Sequence, residues 1–292
     1  MGHRGKRRRR RNRDAWWRQQ YGGMPVWGIG AAVAFLVVAA VAAIPAIVSQ
    51  PTTSSAVELR PVAPLSTGVA SPSSSAVAAD GALGEVQALL AGDDPIVISV
   101  LGDSTGNGPN EWVARWAKRI GETGSTVTVH YWDDVDKTYA EDVTYGSGPR
   151  PIEIWNGSMP GKNAMNALEI RDQLQPTEPD LIIYNFGHNI GPEPVDVTYS
   201  KIQKAAGEQW GGPILRAAML QNPAHGTREA PTEGSQRRVS SWASRNGVPL
   251  VNIRDAFTAN PEWIADYMLD EVHPNDAGSQ VWAEQVIKTL GP

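Results

Sequence analysis

Apolar and polar positions divide this chain into three stretches of different rhythm. Residues 26–48 run for 23 positions without a charge, which as a helix spans about 34 Å and so crosses a bilayer's hydrocarbon core. Residues 49–80 are mainly Ser, Thr, Pro, Ala and Val, with only Glu58, Arg60 and Asp80 charged. They follow neither the helical nor the strand period, and they predict a flexible tether. From Gly81 the pattern becomes that of a folded domain, 81–292, opening on a short helix over 83–90.

Within the domain, 96–101 is a continuous β-branched and apolar run, the mark of a strand buried on both faces. Trp112, Val113, Trp116 and Ile120 then recur at helical spacing until Gly121 and Gly124 stop the helix. Strands are expected at 126–132 and 152–155, followed by a helix over 164–174. The alternation continues with strand 181–186, helix 198–210, strand 214–220, helix 232–245, strand 249–253 and a last helix over 275–290. Strands and helices alternating at this spacing predict an α/β fold of three layers, with a central parallel sheet covered on both faces. In such sheets, sites form just after the carboxyl ends of the strands.

Charge sharpens the reading of the N-terminus. Of the 26 Lys and Arg, nine precede residue 19 alongside one acid, Asp14, which leaves 17 basic against 30 acidic residues in the rest. So acidic a remainder argues against nucleic-acid binding, which needs clustered Lys and Arg. The basic run at 4–13 instead flanks the uncharged span, with Trp16, Trp17, Tyr21 and Trp27 as an interfacial belt. The positive-inside rule then makes 1–25 a cytoplasmic tail and 26–48 a single transmembrane signal anchor, and places the domain outside the membrane. A signal peptide cleaved near 43–46 is the other reading; the domain is exported in both. Cysteine is absent, which excludes disulfides, thiolate nucleophiles and Cys-based zinc sites.

Candidate chemistry starts after the first expected strand, at Gly102-Asp103-Ser104-Thr105-Gly106-Asn107-Gly108. A serine at a tight strand-to-helix turn exposes its hydroxyl and sets its own N–H near a helix N-terminus, where a developing oxyanion is stabilised. The segment lacks the Gly-Lys-Ser/Thr ending of a P-loop. A serine nucleophile needs a base, and the chain holds five histidines. His3 lies in the tail, His130 within a strand, His188 after a strand and His225 in a turn. His273 stands in Asp270-Glu271-Val272-His273-Pro274-Asn275, just before the last helix. Asp270, three residues earlier, can accept the imidazole Nδ1 proton and leave Nε2 free for the serine proton.

Gly-Asp-Ser after the first strand and Asp-x-x-His-Pro before the last helix together resemble the SGNH (GDSL-like) hydrolase superfamily, over about residues 94–291. The resemblance implies a flavodoxin-like three-layer fold and a Ser104, Asp270, His273 triad. Asn156-Gly157-Ser158-Met159-Pro160-Gly161 resembles the family's second block, whose spacing implies the Gly161 backbone N–H as an oxyanion donor, Gly157 being the alternative. Gly187-His188-Asn189 resembles the third block, which implies that the Asn189 side chain donates to the same oxyanion, together with the N–H of Ser104. Thr105 stands where the family usually has Leu, and Ile190 where an Asp commonly follows the third-block Asn. These departures mark a divergent branch.

On this resemblance the chain is expected to be an exported serine esterase acting on acyl esters, O-acetyl among them, of envelope or extracellular glycans or lipids. No metal or organic cofactor is expected. An O-acyltransferase of the same fold and a non-catalytic envelope-binding module are the alternatives. Trp112 and Trp116, four residues apart on one helix face, read as core. Trp132, Trp155, Trp210, Trp242, Trp263 and Trp282 include candidate sugar-stacking platforms.

Overall fold

The computed structural model describes residues 74–212 and 214–292. The basic tail and the expected membrane span at 26–48 lie outside the described residues, as does most of the tether. Among the described residues, no helix is long and apolar enough to cross a membrane.

In chain order the elements are α1 (Ser74–Ala91), β1 (Ile96–Gly102), α2 (Trp112–Glu122), β2 (Ser125–Asp133), β3 (Thr138–Tyr145) and β4 (Arg150–Ser158). There follow α3 (Ala164–Glu169), α4 (Arg171–Leu174), β5 (Leu181–Asn185), α5 (Val195–Trp210), β6 (Leu215–Leu220) and α6 (Glu229–Asn246). The chain closes with β7 (Leu250–Asn252), α7 (Ile253–Thr258), α8 (Trp263–Tyr267) and α9 (Asp276–Leu290). The seven strands form one sheet in the order β3-β2-β4-β1-β5-β6-β7, parallel except for β3.

The expected parallel sheet is thus extended by an antiparallel edge strand. β3 pairs with β2 through a register irregularity at Tyr131/Trp132, and its residues are exposed or half-buried along their length. The expected helix over 164–174 breaks at Ile170 into α3 and α4. α1 begins at Ser74, so its first turns fall within the stretch read as tether. Arg150 fixes the other end of this helix: its guanidinium donates to the carbonyls of Leu89, Leu90 and Asp94 at 2.8, 2.6 and 2.8 Å. A cation placed there neutralises the negative pole of the helix dipole.

Two cores flank the sheet. On one face Ile98 and Val100 of β1 pack with Trp112 and Trp116 of α2, Phe257 of α7 and Trp282 of α9. Trp112 and Trp282 stack with ring centroids 6.1 Å apart and planes 4° from parallel. On the other face Leu101 and Tyr184 pack with Tyr199 of α5 and Trp242 of α6. Burying each large apolar side chain contributes on the order of 1.5–3 kcal/mol. Trp242 and Trp282 are at most 1% exposed, so they are core and not sugar platforms. Trp155 is covered by a ring stacked on it, that of His130, at a centroid distance of 4.0 Å.

The register gathers the strand ends. Gly102 pairs with Ser158 of β4 on one side and Asn185 of β5 on the other. The connection leaving β1 runs to β2 on one side and that leaving its neighbour β5 runs to β6 on the other, which makes the carboxyl ends of β1 and β5 the topological switch point where α/β sheets place their sites. Ser104, Gly161 and Asn189 all follow strands that end at this edge.

Candidate active site

The loop after β1 is held by close packing and by a buried carboxylate. A Cβ at Gly102 would lie 2.8 Å from Ser158 Oγ, and one at Gly106 would lie 3.0 Å from both Ser158 Oγ and Trp112 Nε1. Glycine at both positions lets the Ser158 and Trp112 side chains pack directly on the loop backbone. Asp103 is 0% exposed. Its Oδ1 accepts the Thr105 N–H at 3.1 Å and the Thr105 hydroxyl at 2.8 Å, and its Oδ2 accepts the Gln221 amide at 3.0 Å. The Asn185 amide donates to Thr105 Oγ1 at 3.2 Å. Thr105, a departure from the family pattern, is therefore a hydrogen-bonded member of a polar network that a leucine would leave short of partners. Asn156 completes the brace by donating to the Gly106 carbonyl at 2.8 Å.

The structure brings the three residues expected at the centre together. Ser104 Oγ lies 2.8 Å from His273 Nε2, and His273 Nδ1 lies 2.8 and 3.1 Å from the two oxygens of Asp270. A carboxylate only accepts, so in the neutral imidazole Nδ1 carries the proton and Nε2 presents its lone pair to the serine hydroxyl. Asp270 Oδ1 also accepts the backbone N–H groups of Val272 and His273, at 2.8 and 2.7 Å. Partial burial pushes the Asp270 carboxyl up, but these backbone hydrogen bonds and the contact with His273 outweigh it and hold the pKa below the ordinary aspartate value. Asp270 is thus kept ionised where it faces the imidazole.

The loop carrying Asp270 and His273 is fastened from the segment that follows β6. The Asn222 amide donates to the Val272 carbonyl at 2.9 Å, while its carbonyl oxygen lies 3.0 Å from Nε2 of the buried His188. Burial pushes the His188 pKa down, so it sits there as a neutral ring. Gln221 Oε1 accepts the His188 N–H at 3.0 Å. His225 Nε2 lies 3.0 Å from the Asp270 carbonyl, so this second histidine braces the backbone of the loop.

Gly161 and Asn189 sit on neighbouring loops. The Lys162 N–H donates to Met159 O at 3.3 Å, with Pro160 and a Gly161 at φ +70° between them. This is a turn of type II, in which Pro presets the second position and the third needs glycine. The Met159 N–H in turn donates to Gly102 O at 2.9 Å. Gly157 instead lies inside β4 paired with Leu101, so of the two candidate glycines Gly161 is the one in the loop. The Asn189 amide donates to Lys162 O at 3.0 Å, which uses one of its two N–H groups and locks the two loops to each other.

One site residue has no counterpart in the motif analysis. Glu111 precedes α2 and its Oε2 accepts the Gly108 N–H at 2.6 Å. Burial, opposed by that hydrogen bond and by the charge of His273, raises its pKa from 4.5 to about 7. An acid ahead of a helix reads in sequence as ordinary N-terminal charge complementation, so nothing in the pattern singles it out. Among the described residues no three His, Asp or Glu side chains converge as a metal-binding group.

The profile of the GDSL-like Lipase/Acylhydrolase family matches residues 100–281. The chain belongs to this family of ester-hydrolysing enzymes. By sequence, no curated protein matches it. Among solved structures it is similar to LAE5, an α/β hydrolase from the metagenome of Lake Arreo, Spain, with TM-score 0.52, 15% identity, and coverage of 68% of this chain and 97% of that one. It is also similar to the acetyl xylan esterase AlAXEase, with TM-score 0.50, 15% identity and coverage of 66% and 98%. A variant of Axe2, an acetyl-xylooligosaccharide esterase from Geobacillus Stearmophilus, matches with TM-score 0.50, 15% identity and coverage of 68% and 95%. At these identities the likeness shows a common fold.

Proposed function

We propose that this chain is an exported serine esterase in which Ser104 is the nucleophile, His273 the general base and acid, and Asp270 the orienting carboxylate. One observation carries the reading: Ser104 Oγ meets His273 Nε2 at 2.8 Å across 169 residues of sequence, with Asp270 on the other ring nitrogen. Ser104 Oγ attacks the ester carbonyl carbon while its proton passes to Nε2, and Asp270 stabilises the imidazolium. The N–H groups of Ser104 and Gly161 and the second N–H of the Asn189 amide hold the tetrahedral oxyanion. On collapse the C–O bond breaks and the imidazolium proton goes to the departing alcohol. Water, activated by the same imidazole, then releases the acid from the acyl-enzyme.

The substrate we assign is an acyl ester of a cell-envelope or extracellular glycan, with acetyl as the acyl group. Acetyl xylan esterases among its fold neighbours support this class. The basic run before an uncharged span supports a membrane anchor with the domain outside. The direct test is a fluorophosphonate probe applied to the full chain in detergent. It labels a peptide containing Ser104 in the wild type and labels nothing in Ser104→Ala; an unlabelled, folded wild type would overturn the serine mechanism. Protease added to intact cells tests export, since it should remove the domain, and protection of the domain would reverse the orientation.

A further inference from the structure

A cavity of about 350 Å³ is bounded by the loop and helix 163–165, the segment 189–198 and the first turns of α6. It shares Asn189, the expected oxyanion donor, with the site. Its volume is near the lower end of the range for small-ligand sites, about 300–1,000 Å³, and far exceeds the needs of an acetyl group. Apolar side chains such as Met165, Ile190 and Val195 alternate around it with the hydrogen-bonding groups of Asn163, Ser235 and Arg238.

Both charges on the wall are answered within the protein. Glu193 is paired with Lys201, and Arg238 lies 3.6 Å from Asp196. An ionic ligand would have to compete with these pairs. An aliphatic chain would strip water from the polar groups without replacing their hydrogen bonds, which is unfavourable for each group left unpaired. A neutral ring with hydroxyls around its edge and C–H groups on its faces satisfies both kinds of wall.

The cavity is built in advance of any ligand. Asn163 caps α3 and shares a reciprocal capping box with Asn166. A Cβ at Gly191 would lie 2.9 Å from the Asn163 side chain, so the facing loop is pressed against this cap. At the wall contributed by α6 stands Gly234, inside the helix, with no atom within 4 Å of where its Cβ would be. Glycine within a helix is less favourable than alanine, and here neither packing nor a positive φ demands it. Its absent side chain leaves the cavity open.

We propose that this cavity is the subsite for the alcohol half of the ester and takes a neutral sugar ring, seated so that the acyl group it carries reaches Ser104. This rests on the esterase reading above and extends it to the leaving group. Gly234→Trp in the full chain places an indole where the structure holds open space. The test compares kcat/KM for an acetylated xylooligosaccharide with that for p-nitrophenyl acetate. The ratio of the two should fall by about tenfold or more, the discrimination a single pocket contact supplies, and inhibition by the deacetylated oligosaccharide should weaken with it. Should Gly234→Trp fail to fold, Met165→Trp fills the same cavity from another wall and is read by the same ratio.

An unchanged ratio in a folded variant would overturn the assignment. So would a selective loss on p-nitrophenyl octanoate, which would make the cavity an acyl-chain site. A wild type inactive on all of these esters would overturn the esterase reading itself and the subsite with it, so the two failures are distinguishable.

Discussion

The Gln221 amide donates to Asp103 Oδ2 at 3.0 Å and also to the Asn185 carbonyl at 3.1 Å, which ties the end of β6 to the residue preceding Ser104. Asp103 is 0% exposed and Gln221 1%. A buried carboxylate of this kind is tolerated only while its hydrogen bonds are made. Gln221→Leu should therefore destabilise the protein by about 1–3 kcal/mol. In a domain of this size that lowers Tm by roughly 2–4 °C per kcal/mol. Thermal unfolding followed by circular dichroism measures it, and an unaltered Tm would show that the network adds nothing to stability.

Ser104→Ala, His273→Ala and the double variant should be inactive to a similar degree, because residues that act as one unit lose activity non-additively. Asp270→Asn should also be severe, since an amide in place of the carboxylate favours the wrong imidazole tautomer. Steady-state hydrolysis of p-nitrophenyl acetate by folded variants measures this. Additive losses across Ser104 and His273 would mean that the two do not share a step.

Asn189→Ala should lower kcat by about 10²–10³ with a modest change in KM, as expected for a donor engaged mainly in the transition state. Its bond to the Lys162 carbonyl at 3.0 Å also links two loops, so the variant's Tm must be measured alongside. A loss of kcat that tracks only a loss of folded protein would leave Asn189 as a loop brace.

Glu111 predicts a pH dependence of stability. Its carboxyl pKa, 4.5 when unperturbed, is pushed up to about 7 in the folded protein, mainly by burial. Between these values the folded state holds a proton that the unfolded chain has released. Stability from this group is therefore full below about pH 4.5 and falls as pH rises to about 7. Glu111→Gln keeps an acceptor for the Gly108 N–H but removes the titration. Its Tm relative to wild type should rise from pH 4.5 to pH 8, and a difference independent of pH would rule out this titration.

Much of the fold was legible because it depends on local period. The apolar run that became β1 is continuous, and a strand buried on both faces has no other pattern available to it. α2 was equally plain, since Trp112, Val113, Trp116 and Ile120 mark one helical face and all are buried. β3 was not, because Thr138–Tyr145 is half-buried at best. At a sheet edge it is pairing with β2 that selects the strand, and a partner supplied by another segment leaves little trace in composition.

The same division runs through the site. Gly102-Asp103-Ser104 and Asp270-x-x-His273 are local arrangements: glycine permits the tight approach, and a three-residue spacing lets the carboxyl reach its own loop's imidazole. These features are carried by neighbours in the chain, and the amino-acid order alone supplied them. The tertiary structure decided which distant groups surround them. It set Gln221 against Asp103, Asn222 against Val272, Glu111 into the charge field of His273, and Gly234 into the wall of the cavity that Asn189 also lines. Each depends on the register of parallel strands joined by long crossovers, which is settled when the two cores pack against the sheet and has no period along the sequence to announce it.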